Sequence, residues 1–353
     1  MRYRRVGLVV VAAWWALVTS TAGAVVIRAP NGHRLSLMFR PGTRTGASSS
    51  STTGGVLVAH GGPVLTGETP YLIFWTPSHA STLSASEGLL ARYLTDVAAG
   101  SVAHSTTNVY SVLAQYGAPY SQQFAKAQAV IDGDPYPTNQ SGCSLAPGMT
   151  ACVTDASLQS EIGRLIDSGA VRAPTAPGTG TTPVYIVVTP VNTNVCTSGG
   201  ACVNNSFCAY HGTFSHNGSV VYASVPYSVF ASSSKGCQTD QYSIYETPAG
   251  SSGDQAYNIA DDLSHELSEM ISDPLLNAWY GKGSGLEVGD LCEAYGARAN
   301  TSKGLSPLAY SPAFGNPSAG TLYDQVINGN QYYNQTEFSN LANKCLPGTT
   351  ALP

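Results

Sequence analysis

His265, Glu266 and Glu269 stand together in the run His265-Glu266-Leu267-Ser268-Glu269, and their types and spacing are those of a metal-dependent hydrolase. Positions i and i+4 of a helix project from one face, so His265 and Glu269 can grip a single ion. Glu266 directly follows the histidine, the place from which a zincin-type helix aims a general base at metal-activated water. The familiar pattern has a second histidine where this chain has Glu269, giving HExxE. Asp262 and Asp273 add carboxylates to the same few turns. Such charges around one imidazole repel one another unless a cation lies among them. Glu287 and Asp290, on the return segment beyond Pro274, are the candidates for a third, oxygen ligand. Zinc is the expected cofactor, with calcium and manganese as the alternatives that a carboxylate-rich set allows. The competing reading is an amphipathic helix whose acidic residues form a solvated face.

The elements that position these groups follow from apolar periodicity. Ile259, Leu263, Leu267, Met270 and Ile271 recur at helical spacing, so one stripe of the segment faces a core, and the helix should stop at Asp273-Pro274. Helices are also expected over 84–99, with a Ser84/Glu87 capping box, and over 155–168. Strands are expected at 56–63, 69–75 and 184–189, the last two apolar enough to be buried in a sheet. Residues 219–226 alternate as an exposed edge strand would. From Glu293 onward the chain is loop-rich. The expected fold is α+β: a mixed β-sheet with packed helices, a zincin-like active-site helix, a loop-rich C-terminal half and disulfide bracing.

Bulk properties place the chain outside the cell. Of 353 residues only 10 % are charged and 43 % are hydrophobic, a polar but weakly charged surface. A formal net charge of −5 leaves no basic footprint, so nucleic acid is not an expected partner. Arg2, Arg4 and Arg5 precede an apolar run over 6–18 and the small residues Ala22-Gly23-Ala24, which reads as a signal peptide over 1–24. The run is shorter than the roughly 20 residues of a membrane span, so no membrane association is expected after cleavage. Residues 25–55 form an N-terminal segment, a strand or two followed by a Ser/Thr/Gly-rich linker over 43–55, and 56–353 form one globular domain.

Eight cysteines in an exported chain suggest four disulfides. Cys143 with Cys152 closes a short loop, and Cys292 with Cys345 ties the segment after the metal helix to the C-terminus. Cys196, Cys202, Cys208 and Cys237 then pair among themselves in one of three ways. Thiolate zinc binding is the alternative, but no paired CxxC spacing exists.

Several stretches taken together resemble the EXORDIUM-like, or phosphate-induced protein, family: 58–75 (VAHGGPVLTGETPYLIFW), 184–189 leading to 208–212 (CAYHG), 220–226 (VVYASVP) and 272–280 (SDPLLNAWY). The resemblance spans about residues 56 to 346, with the motifs in the same order. HELSE followed by EVGDLC is similar to the microbial branch of the family, the plant members lacking a clear HExxE. The resemblance implies a secreted protein; plant members are apoplastic and associated with growth and cell expansion. It implies no established catalytic residue. His60 and His211 fall within these stretches and are read as hydrogen-bonding supports for a ligand or loop, with His211 a further candidate metal ligand. His60-Gly61-Gly62 is also similar to an esterase oxyanion loop, though no G-x-S-x-G accompanies it.

The function expected from these readings is a secreted zinc hydrolase, first of all a peptidase, with Glu266 as general base and a peptide or cell-wall polymer as substrate. The alternative is a non-catalytic extracellular binding or signalling protein that holds a structural cation or none.

Overall fold

Leu72 and Phe74 face one side of their strand, Ile73 and Trp75 the other, and all four are buried, so the strand meets a core on each face. The computed structural model describes residues 26–28, 33–39, 56–77, 85–138, 140–227, 252–282, 285–292, 323–332 and 334–350. The expected signal peptide, the linker, Ser84, Cys237 and the loop-rich stretch 293–322 lie outside the described residues. The first strands are β1 (Val26–Arg28), β2 (Arg34–Phe39), β3 (Leu57–Ala59), β4 (Glu68–Trp75), β5 (Ala129–Asp132), β6 (Ala151–Thr154), β7 (Thr182–Val188) and β8 (Thr193–Cys196). They are followed by β9 (Phe207–Ser215), β10 (Ser219–Ser224), β11 (Trp279–Gly281), β12 (Gln325–Ile327), β13 (Asn330–Tyr332), β14 (Glu337–Ser339) and β15 (Lys344–Leu346). The α-helices are α1 (Ala85–Val102), α2 (Asp155–Asp167) and α3 (Ser252–Ser272), with 3-10 helices at Val109–Tyr116 and Lys126–Gln128.

A seven-stranded mixed sheet in the order β1-β2-β9-β10-β7-β4-β5 organises the chain. β10, β7, β4 and β5 pair in parallel, while β10–β9, β9–β2 and β2–β1 pair antiparallel. Pro70 and Pro183 are tolerated in these inner strands because β4 meets β5 only from Leu72 and β7 meets β10 only from Val184. Leu90, Tyr93 and Leu94 of α1 and Ile259, Leu263 and Leu267 of α3 cover one face. Leu158, Ile162, Leu165 and Ile166 of α2 cover the other. The fold is thus α+β with a mixed sheet, and the helices expected over 84–99 and 155–168 coincide with α1 and α2.

Three expectations need correction. Residues 219–226 do not form an edge: β10 lies between β9 and β7, and its alternation reflects two different cores rather than a core and solvent. The stretch 56–63 contributes only β3, paired with β11 outside the main sheet. The boundary at Val56 does not set the N-terminal segment apart, since β1 and β2 extend the main sheet and Leu35 and Leu37 are buried in its core.

α3 ends at Ser272 as Asp273-Pro274 demands, and the Asp273 carboxylate then accepts the backbone N–H groups of Asn277 (2.5 Å) and Ala278 (2.6 Å), turning the chain back. Cys143–Cys152 and Cys292–Cys345 are bonded as expected, and Cys196 pairs with Cys202. Cys208 is also disulfide-bonded. No helix among the described residues is long and apolar enough to cross a membrane.

Candidate metal centre

Four parts of the chain deliver polar side chains to one place in the interior. α3 presents His265, Glu266 and Glu269, each no more than 1 % exposed. β9 presents His211, which shares a face with Ala209 and so points to the core that α3 covers. The segment 285–292 brings Glu287 and Asp290, and the approach to β14 brings Gln335 and Glu337. Gly289 lets the returning segment lie flat on α3: a Cβ there would stand 2.6 Å from His265 Nδ1 and 2.8 Å from Cε1. Its carbonyl accepts Gln335 Nε2 (2.6 Å), and Asp290 N donates to Glu269 Oε1 (3.2 Å).

Both imidazoles are held in the same manner. His211 Nδ1 lies 3.1 Å from Glu266 Oε2 and 3.5 Å from Glu269 Oε2, and His265 Nδ1 lies 3.2 Å from Gln335 Oε1. With Nδ1–H donating to these acceptors, the neutral form of each ring presents the lone pair of Nε2. Neither Nε2 has a hydrogen-bond partner. His265 Nε2 is 3.2 Å from Glu269 Oε1, and His211 Nε2 is 3.6 Å from Glu287 Oε1. Glu266 Oε1, Glu269 Oε2 and both oxygens of Glu287 and of Glu337 are likewise buried without a hydrogen bond of regular geometry, although Ser36 lies close enough to Glu287 and Ser268 to Glu337 to favour their charged forms.

Lone buried carboxylates elsewhere show what this interior otherwise provides. Asp155 accepts Tyr210 Oη, Tyr222 Oη and Gln159 Nε2, and Asp96 accepts Asn328, Asn330 and Tyr332. Glu68 is buried with an unpartnered oxygen but stands alone, and burial pushes it well up toward the neutral form. In the nest, burial opposes charge everywhere, yet the two imidazoles and Glu269 favour the charged form of one another. Burial alone would lower His211 and His265, but Glu287 beside the first and Glu269 beside the second outweigh it and raise both. Burial pushes Glu269 up, and His265 and His211 overcome it to hold the carboxyl at about 2. Burial raises Glu266, Glu287 and Glu337. Unpartnered donors of electron pairs around a shared carboxylate are the chemistry of a cation site.

Among the described residues, His265, Glu269 and Asp290 offer ligand atoms within 4.8 Å of one another, as do His211, Glu269 and Glu287; either set could hold a metal ion. Asp132, Asp134 and Glu161 also cluster, but Arg164 already bridges all three at 2.5 to 3.0 Å. Cys143, Cys152 and Cys196 cluster as disulfide sulfurs and offer no thiolate.

The sequence-derived set His265, Glu266, Glu269, Glu287 and Asp290 therefore converges, while two other expectations change. His211 is a member of the nest with a bare nitrogen, not merely a support. His60 lies outside the nest and supports the chain at Tyr280 instead, its exposed ring stacking on Tyr280 at 3.6 Å and its Nε2 lying 3.2 Å from Tyr280 O. Nor is His60-Gly61-Gly62 an oxyanion loop, because His60 N and Gly62 N already donate to Ala278 O and Asn277 O. Gln335 and Glu337 were not anticipated, since they sit in a stretch without periodicity; the apolar Phe338 beside Glu337 was its only signal of burial. Comparison with protein-family models, curated proteins and solved structures finds no match for this chain.

Proposed function

We propose that the chain is a secreted metal-dependent hydrolase, with peptides as its first substrate class, and that His265, Glu269 and Asp290 hold the ion. Support comes from the two imidazoles whose Nδ1 atoms are engaged and whose Nε2 atoms face unpartnered carboxylates in the interior. Imidazole nitrogen favours zinc, then manganese, over calcium, which takes oxygen ligands. A divalent ion held there would supply Lewis acidity and lower the pKa of a bound water. Glu266 stands beside it with Oε1 free of hydrogen bonds and Oε2 held by His211. Burial raises its pKa, which suits a group that takes a proton during attack and returns it to the leaving group. The zincin-like HExxE helix, the likeness to EXORDIUM-like proteins and the N-terminal export signal belong to the same reading.

Glu266→Gln tests it: metal content and melting temperature stay near wild type while turnover of a broad peptide library disappears. Full activity in that variant removes Glu266 from the reaction. One observation favours a second reading, a non-catalytic extracellular binding protein with a structural cation: the nest residues are 0 to 1 % exposed, and a scissile carbonyl has to reach Glu266. Under that reading chelation lowers the melting temperature and no peptide or ester is ever cleaved. A fully folded protein that never takes up metal defeats the enzyme reading.

A further inference from the structure

We infer that the nest is built for two cations, with Glu269 as the bridge between them. The inference rests on the metal-centre reading above and extends it from one ion to a pair. Glu269 belongs to both ligand sets, each with its ligand atoms within 4.8 Å of one another; its Oε1 lies 3.2 Å from His265 Nε2, and its Oε2 lies 3.5 Å from the Nδ1 edge of the His211 ring. Beyond each imidazole stands a different carboxylate, Asp290 on the His265 side and Glu287 on the His211 side. One ligand set therefore shares only Glu269 with the other. His211 Nε2 and both Glu287 oxygens, all fully buried and without a hydrogen bond of regular geometry, have no role in a site made of His265, Glu269 and Asp290 alone.

Each ring is held by its own acceptor. Glu266 Oε2 takes the Nδ1–H of His211, and Gln335 Oε1 takes that of His265. Each histidine is thereby oriented by an outer acceptor to offer Nε2 inward, the arrangement that metal-ligating histidines adopt. Charge points the same way. Glu266, Glu269, Glu287, Asp290 and Glu337 are all within this buried neighbourhood, so with these carboxyls ionised one divalent ion leaves an excess of negative charge and a second removes most of it. A carboxylate spanning two ions is a common bridge in hydrolytic centres, where paired ions sit about 3.5–4 Å apart. Zinc or manganese is the class of cation that fits one imidazole and two carboxylates on each side.

The deciding measurement is metal stoichiometry on the oxidised, exported chain after loading with zinc and removal of loose metal by dialysis. About two zinc ions per chain are expected, falling to about one in His211→Ala and in His265→Ala and to near zero in Glu269→Ala. Loading with manganese gives an independent readout on unmodified protein: a coupled pair changes the six-line resonance of an isolated ion, so the result stands even if a variant fails to fold. One zinc per chain, lost on removal of either histidine, together with an uncoupled manganese signal, overturns the paired site and leaves the single-ion hydrolase standing. No metal under either loading overturns both.

Discussion

Glu269 and Gly289 are the two residues on which the centre most depends, one by charge and the other by having no side chain. Gly289→Ala places a methyl group within 2.6 Å of His265 Nδ1, so the returning segment has to lift and take Asp290 with it. Metal affinity should fall by about 10- to 100-fold, measured by chelator competition, with α3 intact by circular dichroism. Unchanged affinity would show that Asp290 is not a ligand. Neighbouring carboxylates raise His211 and His265, and burial raises Glu287, so protons compete with a cation for these groups. A cation has to expel them, so apparent affinity rises with pH and binding releases protons, as titration calorimetry in buffers of different ionisation enthalpy will report. Equal heats in all buffers would contradict this. His265, Glu266 and Glu269 were legible because a helix fixes which neighbours share a face. His211 was only half legible, because a strand residue's partners depend on what packs over the sheet, and no spacing within 207–212 says that α3 does.

At the scale of elements, buried carboxylates tie helices to sheets. Asp155, at the start of α2, accepts hydrogen bonds from Tyr222 Oη and Tyr210 Oη, which reach it from β10 and β9. Asp155→Ala leaves two buried hydroxyls without it and should cost about 2–4 kcal/mol in chemical denaturation. A loss under 1 kcal/mol, by about that measure, would mean water replaces the carboxylate. Asp132 of β5 couples to α2 through Arg164 (3.0 Å). Burial and a hydrogen bond with Glu161 raise it from 3.8 to about 7, against the pull of Arg164. The folded state thus keeps a proton that the unfolded state gives up, so this contribution is full below about pH 4 and declines as pH rises to about 7. In Asp132→Asn that slope should vanish from a plot of stability against pH; its persistence would assign the slope to other groups. The helices were readable from their apolar stripes. The strands were found but not placed: alternation in 219–226 is the same whether the second face meets water or another core.

For the molecule as a whole, the N-terminal strands are part of the sheet rather than a preface to it. β2 pairs with β9 so that Ser36 lies opposite His211, and Leu35 and Leu37 are buried beside Tyr210 and Tyr222. A chain that starts at Val56 should melt at a markedly lower temperature, since burial of two leucines contributes about 3–6 kcal/mol. An unchanged melting curve would show β1 and β2 to be dispensable. The Ser/Thr/Gly run over 43–55 concealed this, because composition marks a tether without saying where its far end docks. The Cys292–Cys345 bond has a consequence for maturation. Cys292 follows the ligand-bearing turn by two residues, and Cys345 lies across from Phe338, next to Glu337. One covalent clasp therefore sets the spacing of two walls of the centre, and an ion arriving before oxidation meets walls not yet joined. Under the proposed reading, assembly would have an order, with oxidative closure ahead of metal capture, and a chain kept reduced would be left empty-handed.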